Sequence, residues 1–298
     1  MSKCQRTRVA FWRHRGDRMR NSSLSRYVAL IPSSVMIGVF FAIPFALILM
    51  VSVSSPADDA DFRLGFDLQH FQRFATWFYI ERALFSAGLC ALIAAISMAI
   101  AFPFTYFLTT FKRRAQDLWL IYILAQLSLS EVLIAFSWQI LLSRTSGVGN
   151  ILEMLGIVER SFSMAPSAGA VIAALVYLTV PFSVLLLFPA LSRMDRSLLE
   201  AARTLGASPV RTFFTVVIPV TRPAIISGAV TVFVLTLGAI IVPQVLGRPQ
   251  HWTLSVLITD QAIFNFNMPF ASALAVVLLA LSASVIALVS WLGRRAEA

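Results

Sequence analysis

Residues 200–219 contain the most specific pattern in this sequence. Glu200-Ala-Ala is followed by three residues, Gly206, nine further residues and then Val216-Val-Ile-Pro219. Paired alanines keep one face of a short helix small, so that the helix can insert closely into a groove of a partner protein. The chemistry predicted for Glu200 and its neighbours is therefore recognition of another protein.

Glu131 is the one charged residue in the apolar stretch 118–142. A carboxylate near the centre of a membrane helix costs about 2.5–3.5 kcal/mol on insertion scales, and such groups usually face a cavity or a partner. Glu131 is interpreted either as a contact for a cationic solute or as a hydrogen-bonding group between helices. Ser130 and Trp138 are grouped with Glu131 as residues of a predicted substrate pathway.

Gly238 and Pro243 extend the predicted pathway into another apolar stretch, where Gly228 also lies. Proline removes a backbone hydrogen bond, and membrane helices tolerate the resulting kink. The stretch 223–246 is therefore a candidate gate, with a static kink as the alternative interpretation.

The sequence lacks the patterns of an enzyme. ATP binding by a P-loop requires G-x-x-x-x-G-K-[ST], and neither of the two lysines, Lys3 and Lys112, follows a glycine. The three histidines are far apart in the sequence. We therefore predict no catalytic residue, no metal site and no bound cofactor.

The composition indicates an all-α integral membrane protein. Hydrophobic residues make up 58% of the chain and charged residues only 13%, with a mean hydropathy of +0.82, whereas soluble domains are about 25% charged. Crossing about 30 Å of hydrocarbon takes roughly 20 apolar residues. Six stretches meet this requirement and predict six transmembrane helices: 27–53, 84–107, 118–142, 168–191, 223–246 and 270–292.

The distribution of basic residues predicts the orientation. Most of the 24 Lys and Arg residues lie in residues 1–26, in the even-numbered connections and near the C-terminus. Basic residues in short loops stay in the cytoplasm, so both termini are predicted to be cytoplasmic. The expected organisation is a basic N-terminal segment (1–26), a six-helix domain (27–293) and a tail (294–298). Nucleic acid is not an expected partner, because no domain accompanies the charge.

The long connection 192–222 is predicted to begin with a short helix. Ser197 and Glu200 match a capping box, in which each side chain bonds an exposed amide of the other residue. Apolar residues then recur at the spacing of one helical face: Leu198, Ala201, Ala202 and Leu205. A helix lying on lipid is the alternative, but such helices usually have bulkier apolar faces.

A sharp turn and a second helix are expected next. Gly206 can adopt the left-handed conformation that ends a helix. Ser208-Pro209 is typical of a helix start, with serine as N-cap and proline in the first turn. Pro219 and Pro223 are expected to break the chain before the fifth span.

The Glu200–Pro219 pattern resembles the EAA loop of ABC transporter permeases with the type I importer fold. Residues 191–228, 242–247 and 270–275 further resemble the spermidine/putrescine permease subfamily, in particular the first of its two permease types. The resemblance covers about residues 27–293. It departs from the family at Ile134 and Ala239, where an arginine and an acidic residue are often found, so the substrate ranges from polyamines to opines, aminobutyrate or aminophosphonates.

This resemblance implies a multi-pass permease of the bacterial inner membrane. Its expected partners are two ATPase subunits, which would use ATP and Mg²⁺, a second permease and a periplasmic substrate-binding protein. Glu200 would face an ATPase, Gly206 would form the turn that seats the coupling helix, and Pro219 would set the entry to the fifth span. A stand-alone channel or secondary transporter is the alternative, although such carriers usually show internal repeats and several intramembrane charges.

Overall fold

The structure is a computed structural model that describes residue 32 and residues 34–55, 65–145, 147–156 and 162–297. The predicted basic segment 1–26 lies outside the described residues. The chain divides into two compact units, Met1–Val51 and Ser52–Ala298. The described part of both units is helical, which confirms the all-α prediction.

The helices are numbered here in chain order. They are α1 (Ser34–Ser52), α2 (Gln69–Phe74), α3 (Trp77–Thr110), α4 (Arg113–Leu127), α5 (Glu131–Leu141), α6 (Val148–Met154), α7 (Ala168–Ser192), α8 (Ser197–Thr204), α9 (Pro209–Thr212), α10 (Ile218–Leu237), α11 (Ile241–Leu246), α12 (Leu254–Thr259) and α13 (Met268–Glu297). A π-helical turn joins α9 to α10 at Phe213–Val217, and another follows α12 at Asp260–Phe264.

Five helices in the described residues are long and apolar enough to cross a membrane. They are α1, α3, α7, the continuous helix Pro209–Leu237 and residues Met268–Trp291 of α13. Helices α4 and α5 form a sixth candidate if they are counted as one bent span. The structure therefore contains five or six of the predicted spans.

The prediction of a continuous third span is wrong. Helix α4 ends at Leu127, α5 begins at Glu131, and the two axes differ by 88°. Ser128 lies in the break, and its hydroxyl donates a hydrogen bond to the Leu124 carbonyl at 3.1 Å. A serine that bonds to a nearby backbone group competes with regular helix. Here the chain changes direction after Ser128, and Glu131 begins the next helix.

The fifth span also differs from the prediction. Pro219 and Pro223 lie inside a continuous helix that begins at Pro209 and ends at Leu237. A proline has no amide hydrogen and its ring crowds the carbonyl four residues earlier. The π turn Phe213–Val217 ends two residues before Pro219, and such a wider turn accommodates the proline without ending the helix.

Helices α3, α7 and α10 pack together around one buried core that includes Ala94, Leu187 and Val232. Membrane helices associate through close packing and interhelical hydrogen bonds, because lipid supplies no hydrophobic driving force between them. Both features are present here. The Ser97 and Thr179 hydroxyls are hydrogen-bonded at 2.7 Å, and Gly228 lies so close to α3 that an added Cβ would be 3.1 Å from the Met98 methyl carbon.

A second buried cluster joins α5 and α11 to α3 and α7. It includes Ala135 of α5, Val171 and Leu175 of α7, and Val242 of α11. This cluster fixes the position of α5 after the bend. The two clusters together position the helices that form the sites described below.

Candidate functional site

The first candidate site is α8 and the turn that follows it. Asp195, not Ser197, supplies the oxygen at its N-terminus, because the Asp195 Oδ1 atom accepts a hydrogen bond from the Ser197 amide at 2.9 Å. Ser197 is already the first helical residue, so the predicted capping box with Glu200 is wrong. The Asp195 pKa is lowered by the hydrogen bond from the Ser197 backbone and further by one from the Ser197 side chain.

Gly206 ends α8 in the left-handed conformation, with φ of +82°. Its amide donates to the Arg203 carbonyl at 2.9 Å, and the Ala207 amide donates to the Ala202 carbonyl at 3.0 Å. These two hydrogen bonds form a Schellman motif, which satisfies carbonyl groups that a helix end leaves open. The backbone therefore reverses within two residues of the end of α8.

Ser208 then begins the next helix, as the sequence predicts. Its side chain accepts a hydrogen bond from the Arg211 amide at 3.3 Å, and Pro209 occupies the first helical turn. The connection outside regular helix is thus short, because the second helix continues through the π turn into α10. Pro219 lies exposed in this long helix and is not at a break.

The outer face of α8 is apolar and exposed. Leu205 is 88% exposed and Leu198 is 43% exposed, and Ala201 lies on the same side of the helix at the spacing expected from the sequence. Glu200 is also exposed, whereas Ala202 is half-buried. Two exposed leucines on so short a helix form an unpartnered apolar surface within the described residues.

The inner face of α8 is attached to the helical core. Leu199 packs against the cluster shared by α3, α7 and α10. Arg196, which precedes α8, donates from Nη2 to the Thr109 carbonyl at 3.0 Å. The Gln116 side chain donates to the same carbonyl at 3.2 Å. One carbonyl at the end of α3 therefore connects α8 with α4.

The π turn strengthens this attachment. The Phe213 ring lies 5.4 Å from the Phe102 ring and 5.3 Å from the Tyr106 ring, between centroids. Aromatic pairs at these separations add to packing stability. These contacts join the π turn, which continues into α10, to α3.

The second candidate site is a cavity of about 300 Å³ beside the bend between α4 and α5. It is bounded by the ends of both helices, by α7 and by the end of α10. Glu131 and Gly238, two of the predicted pathway residues, both line it. Polar groups reach it from neighbouring helices through Gln126, Thr179 and Thr236.

Glu131 is the unsatisfied group in this cavity. Its Oε1 atom is buried and has no hydrogen-bond partner among the described residues. By contrast, Thr179 donates its hydroxyl to the Leu175 carbonyl at 2.8 Å and Thr236 donates to the Val232 carbonyl at 2.7 Å. Buried polar atoms are usually hydrogen-bonded. Glu131 Oε1 is the buried atom of this lining for which the described residues supply no hydrogen-bond donor.

Trp138 lies in an adjoining pocket of about 550 Å³ rather than in the first cavity. The two spaces share Leu129 and Ile134 as lining residues. The Trp138 ring packs edge-on against the Tyr177 ring, with centroids 5.9 Å apart. A carboxylate and two aromatic rings therefore border adjoining spaces.

Ser130 and Pro243 are not brought into these spaces. Ser130 occupies the N-cap position of α5 and is exposed, but it makes no side-chain capping bond. Pro243 is buried inside α11. Helix α11 is separated from α10 at Gly238, so the interruption expected in this part of the chain occurs at the glycine.

Sequence reasoning missed Arg196, Gln126, Thr179 and Tyr177. Gln126 carries a signal that could have been used, because it is a polar residue in an apolar stretch. Thr179 carries no such signal, since threonine in a helix commonly bonds its own backbone. Arg196 was indistinguishable in the sequence from the other basic residues of its connection.

Comparisons with known proteins agree with this architecture. Residues 91–298 match the family "Binding-protein-dependent transport system inner membrane component". The spermidine/putrescine transport system permease protein PotB of Salmonella typhimurium (strain SL1344) is 29% identical over 262 residues, which cover 87% of this chain and 91% of that protein. The inner membrane ABC transporter permease protein YdcU of Escherichia coli (strain K12) is 30% identical, over 74% of this chain and 72% of that protein.

A solved structure shares the fold. A chain in the crystal structure of a bacterial ABC transporter that imports the acidic polysaccharide alginate superposes with a TM-score of 0.72. It is 16% identical, and the match covers 95% of this chain and 99% of that chain. The family match covers more than half of the sequence, and the helical architecture is that of an importer permease. The chain therefore belongs to the family of inner membrane components of binding-protein-dependent transport systems, the permease subunits of ABC importers.

Proposed function

We propose that this chain is a permease subunit of an ATP-driven, binding-protein-dependent importer of polyamines or related small amine solutes. The spermidine/putrescine permeases among its relatives support the substrate class. The unpaired Glu131 carboxylate beside the bend in the third span supports a cationic solute. The substrate would cross the bacterial inner membrane through a pathway that this chain forms with a second permease.

The coupling proposal is supported by the contrast between the two faces of α8. Its outer face exposes Leu198 and Leu205, while Arg196 and Leu199 attach the helix to the core. An exposed apolar helix face is a common docking element for a groove. A helix that only connects two spans would not need an exposed apolar face and a firm attachment together.

In the proposed cycle, α8 lies on the cytoplasmic side and docks in a cleft of an ATPase subunit. Two such subunits bind ATP and Mg²⁺, approach each other and press on the coupling helices. Because Arg196 and Phe213 connect this region to α3, the movement reaches the pathway helices. The binding protein delivers substrate from the periplasm, and ATP hydrolysis resets the permeases. This chain itself performs no bond chemistry.

The coupling proposal is tested by Leu205→Asp. A charge on the docking face should lower ATPase capture and substrate uptake by at least about tenfold, because burying an unpaired charge costs more than 1.4 kcal/mol. The measurement is the amount of ATPase that co-purifies with the chain, together with uptake into proteoliposomes.

Leu155→Asp is the matched control. Leu155 also ends a short helix, is 67% exposed and precedes a glycine with positive φ. Its substitution should leave ATPase capture unchanged. Equal capture by the Leu205→Asp and wild-type chains would contradict docking through α8.

The partners are identified by gentle purification from the native membrane and mass spectrometry. The proposal expects two ATPase copies, a second permease and a periplasmic binding protein. Recovery of this chain alone, as a stable self-associated species, would favour a stand-alone channel or secondary transporter instead.

A further inference from the structure

The cavity beside the bend in the third span contains an unusual combination of groups. Its lining, within the described residues, includes no basic side chain, and Glu131 is its one charged residue. The Glu131 Oε1 atom is shielded from solvent yet accepts no hydrogen bond from any described residue. A buried carboxylate oxygen without a partner is costly, and an ammonium group is a chemical partner that removes this cost.

The geometry of α5 links this carboxylate to the aromatic pocket. Glu131, Ile134 and Trp138 are separated by three and then four residues, so they lie along one face of the helix. Ile134 lines both the cavity and the adjoining pocket. Tyr177 of α7 packs against Trp138 across that pocket. A solute extended along this face would meet a carboxylate first and two aromatic rings next.

The chemistry of these groups matches an alkyl diamine or longer polyamine. An ammonium group forms its strongest hydrogen bonds with a carboxylate, and a second cation is attracted to the face of a tryptophan or tyrosine ring. The Leu129 and Ile134 side chains between them offer an apolar wall for the methylene chain. A neutral solute could offer the Glu131 carboxylate a hydrogen bond but no opposite charge, and an anionic solute would offer neither charge nor attraction.

We propose that Glu131 is the substrate-binding carboxylate of this permease, which holds one ammonium group of a linear polyamine while Trp138 and Tyr177 contact the rest of the chain. This inference rests on the proposed function and deepens it, because it assigns the substrate contact to one side chain of this subunit. The proposal requires the carboxylate to be charged and available on the pathway.

The test measures binding separately from transport. The full complex of permeases and ATPases is placed in nanodiscs without the binding protein, and equilibrium binding of radiolabelled putrescine is measured with ATP and vanadate. We expect Glu131→Gln to raise the Kd at least about tenfold, since a lost charged contact of 1.4 kcal/mol corresponds to one factor of ten. Glu131→Asp should raise it less, because the charge is retained.

Glu81→Gln is the matched control. Glu81 is an exposed carboxylate on α3 that does not line the cavity, and its neutralisation should leave the Kd unchanged. Co-purification of the second permease is measured for every variant. An unchanged Kd in Glu131→Gln would overturn the proposal. So would loss of the second permease from that variant, because Glu131 would then pair with the neighbouring subunit.

Uptake by the wild-type complex with its binding protein separates the two proposals. Import of putrescine together with equal binding by wild type and Glu131→Gln would overturn the role of Glu131 and leave the importer function standing. Absence of both binding and import of polyamines by the wild-type complex would overturn the substrate class and the Glu131 contact, while ATPase capture through α8 would still be tested by Leu205→Asp.

Discussion

Gly206 is the residue whose backbone conformation bears most directly on the proposed coupling. Its φ of +82° is unfavourable for residues with a Cβ, although no atom lies within 4 Å of where a Cβ would be placed. The requirement for glycine is therefore conformational and not steric. A left-handed conformation costs an ordinary L-residue about 1–2 kcal/mol.

We expect Gly206→Val to disrupt the turn after α8 and to lower ATP-dependent uptake by about 5–30-fold, the population change that 1–2 kcal/mol produces. Gly206→Asn should retain most of the uptake, because asparagine tolerates this conformation better. Uptake into proteoliposomes and ATPase co-purification measure the effect.

Gly156→Val provides the comparison for this experiment. Gly156 has φ of +71° and equally open surroundings, and it also follows a short helix. Its substitution brings the same backbone strain to a different connection. If Gly156→Val and Gly206→Val reduced uptake equally, the effect would come from general destabilisation and not from coupling.

Asp195 gives a prediction about pH. The hydrogen bonds from Ser197 lower the pKa of this carboxyl below its ordinary value in the folded protein. A lowered folded-state pKa means that the contribution to stability is complete above the unfolded pKa and is lost as the pH falls through the folded value. Between pH 7 and pH 5 the start of α8 should therefore keep the same protection.

Hydrogen–deuterium exchange measures this protection directly. After correction for intrinsic exchange, the first turn of α8 should be equally protected at pH 7 and pH 5, and Asp195→Asn should increase its exchange at both pH values. Exchange in α13 is the internal reference. A large loss of protection between pH 7 and pH 5 in the wild-type chain would contradict the role of Asp195.

Gly228 of α10 leaves room for the end of the Met98 side chain of α3. A Cβ at this position would be 3.1 Å from the Met98 methyl carbon and 3.4 Å from its sulfur atom. We expect Gly228→Leu to force the helices apart and to destabilise the fold by about 1–3 kcal/mol, as overpacking usually does. The thermal unfolding midpoint in detergent measures the change.

Gly88→Leu is the control for helix packing. Gly88 lies on α3 like Met98, but no atom is within 4 Å of its would-be Cβ. Its substitution should change the unfolding midpoint much less than Gly228→Leu. A similar loss of stability in both variants would show that helix propensity, rather than contact between α3 and α10, controls the result.

The short helix α8 and its turn could be predicted from the sequence because their signals are local. Glycine at a helix end and Ser-Pro at a helix start act through neighbouring backbone groups. The 88° bend between α4 and α5 could not be predicted in the same way. It depends on how α5 packs against α7 and α11, and the apolar composition of the stretch is the same for a straight or a bent helix.

The prediction at Pro219 failed for a related reason. A proline usually ends or kinks a helix, but the π turn before it allows the helix to continue. The Phe213 ring in that turn packs on Phe102 and Tyr106 of α3. The turn is therefore stabilised by contacts with a helix that is distant in the sequence. No local sequence pattern predicts these contacts.

Across the whole subunit, the two proposed sites would serve one activity. The exposed face of α8 is attached through Arg196 to the end of α3, and the cavity with Glu131 lies between α5, α7 and α10. Helices α3, α7 and α10 share one packed core. Continuous packing of this kind would allow an ATPase outside the membrane to change the accessibility of a site within it.

The central claim is that ATPase subunits drive this chain to import a polyamine. The most direct measurement is uptake of radiolabelled putrescine into proteoliposomes that contain the complete complex, with the binding protein outside and ATP inside. We expect uptake that requires both ATP and the binding protein. Equal uptake by this chain alone, without ATP, would instead identify an independent carrier or channel.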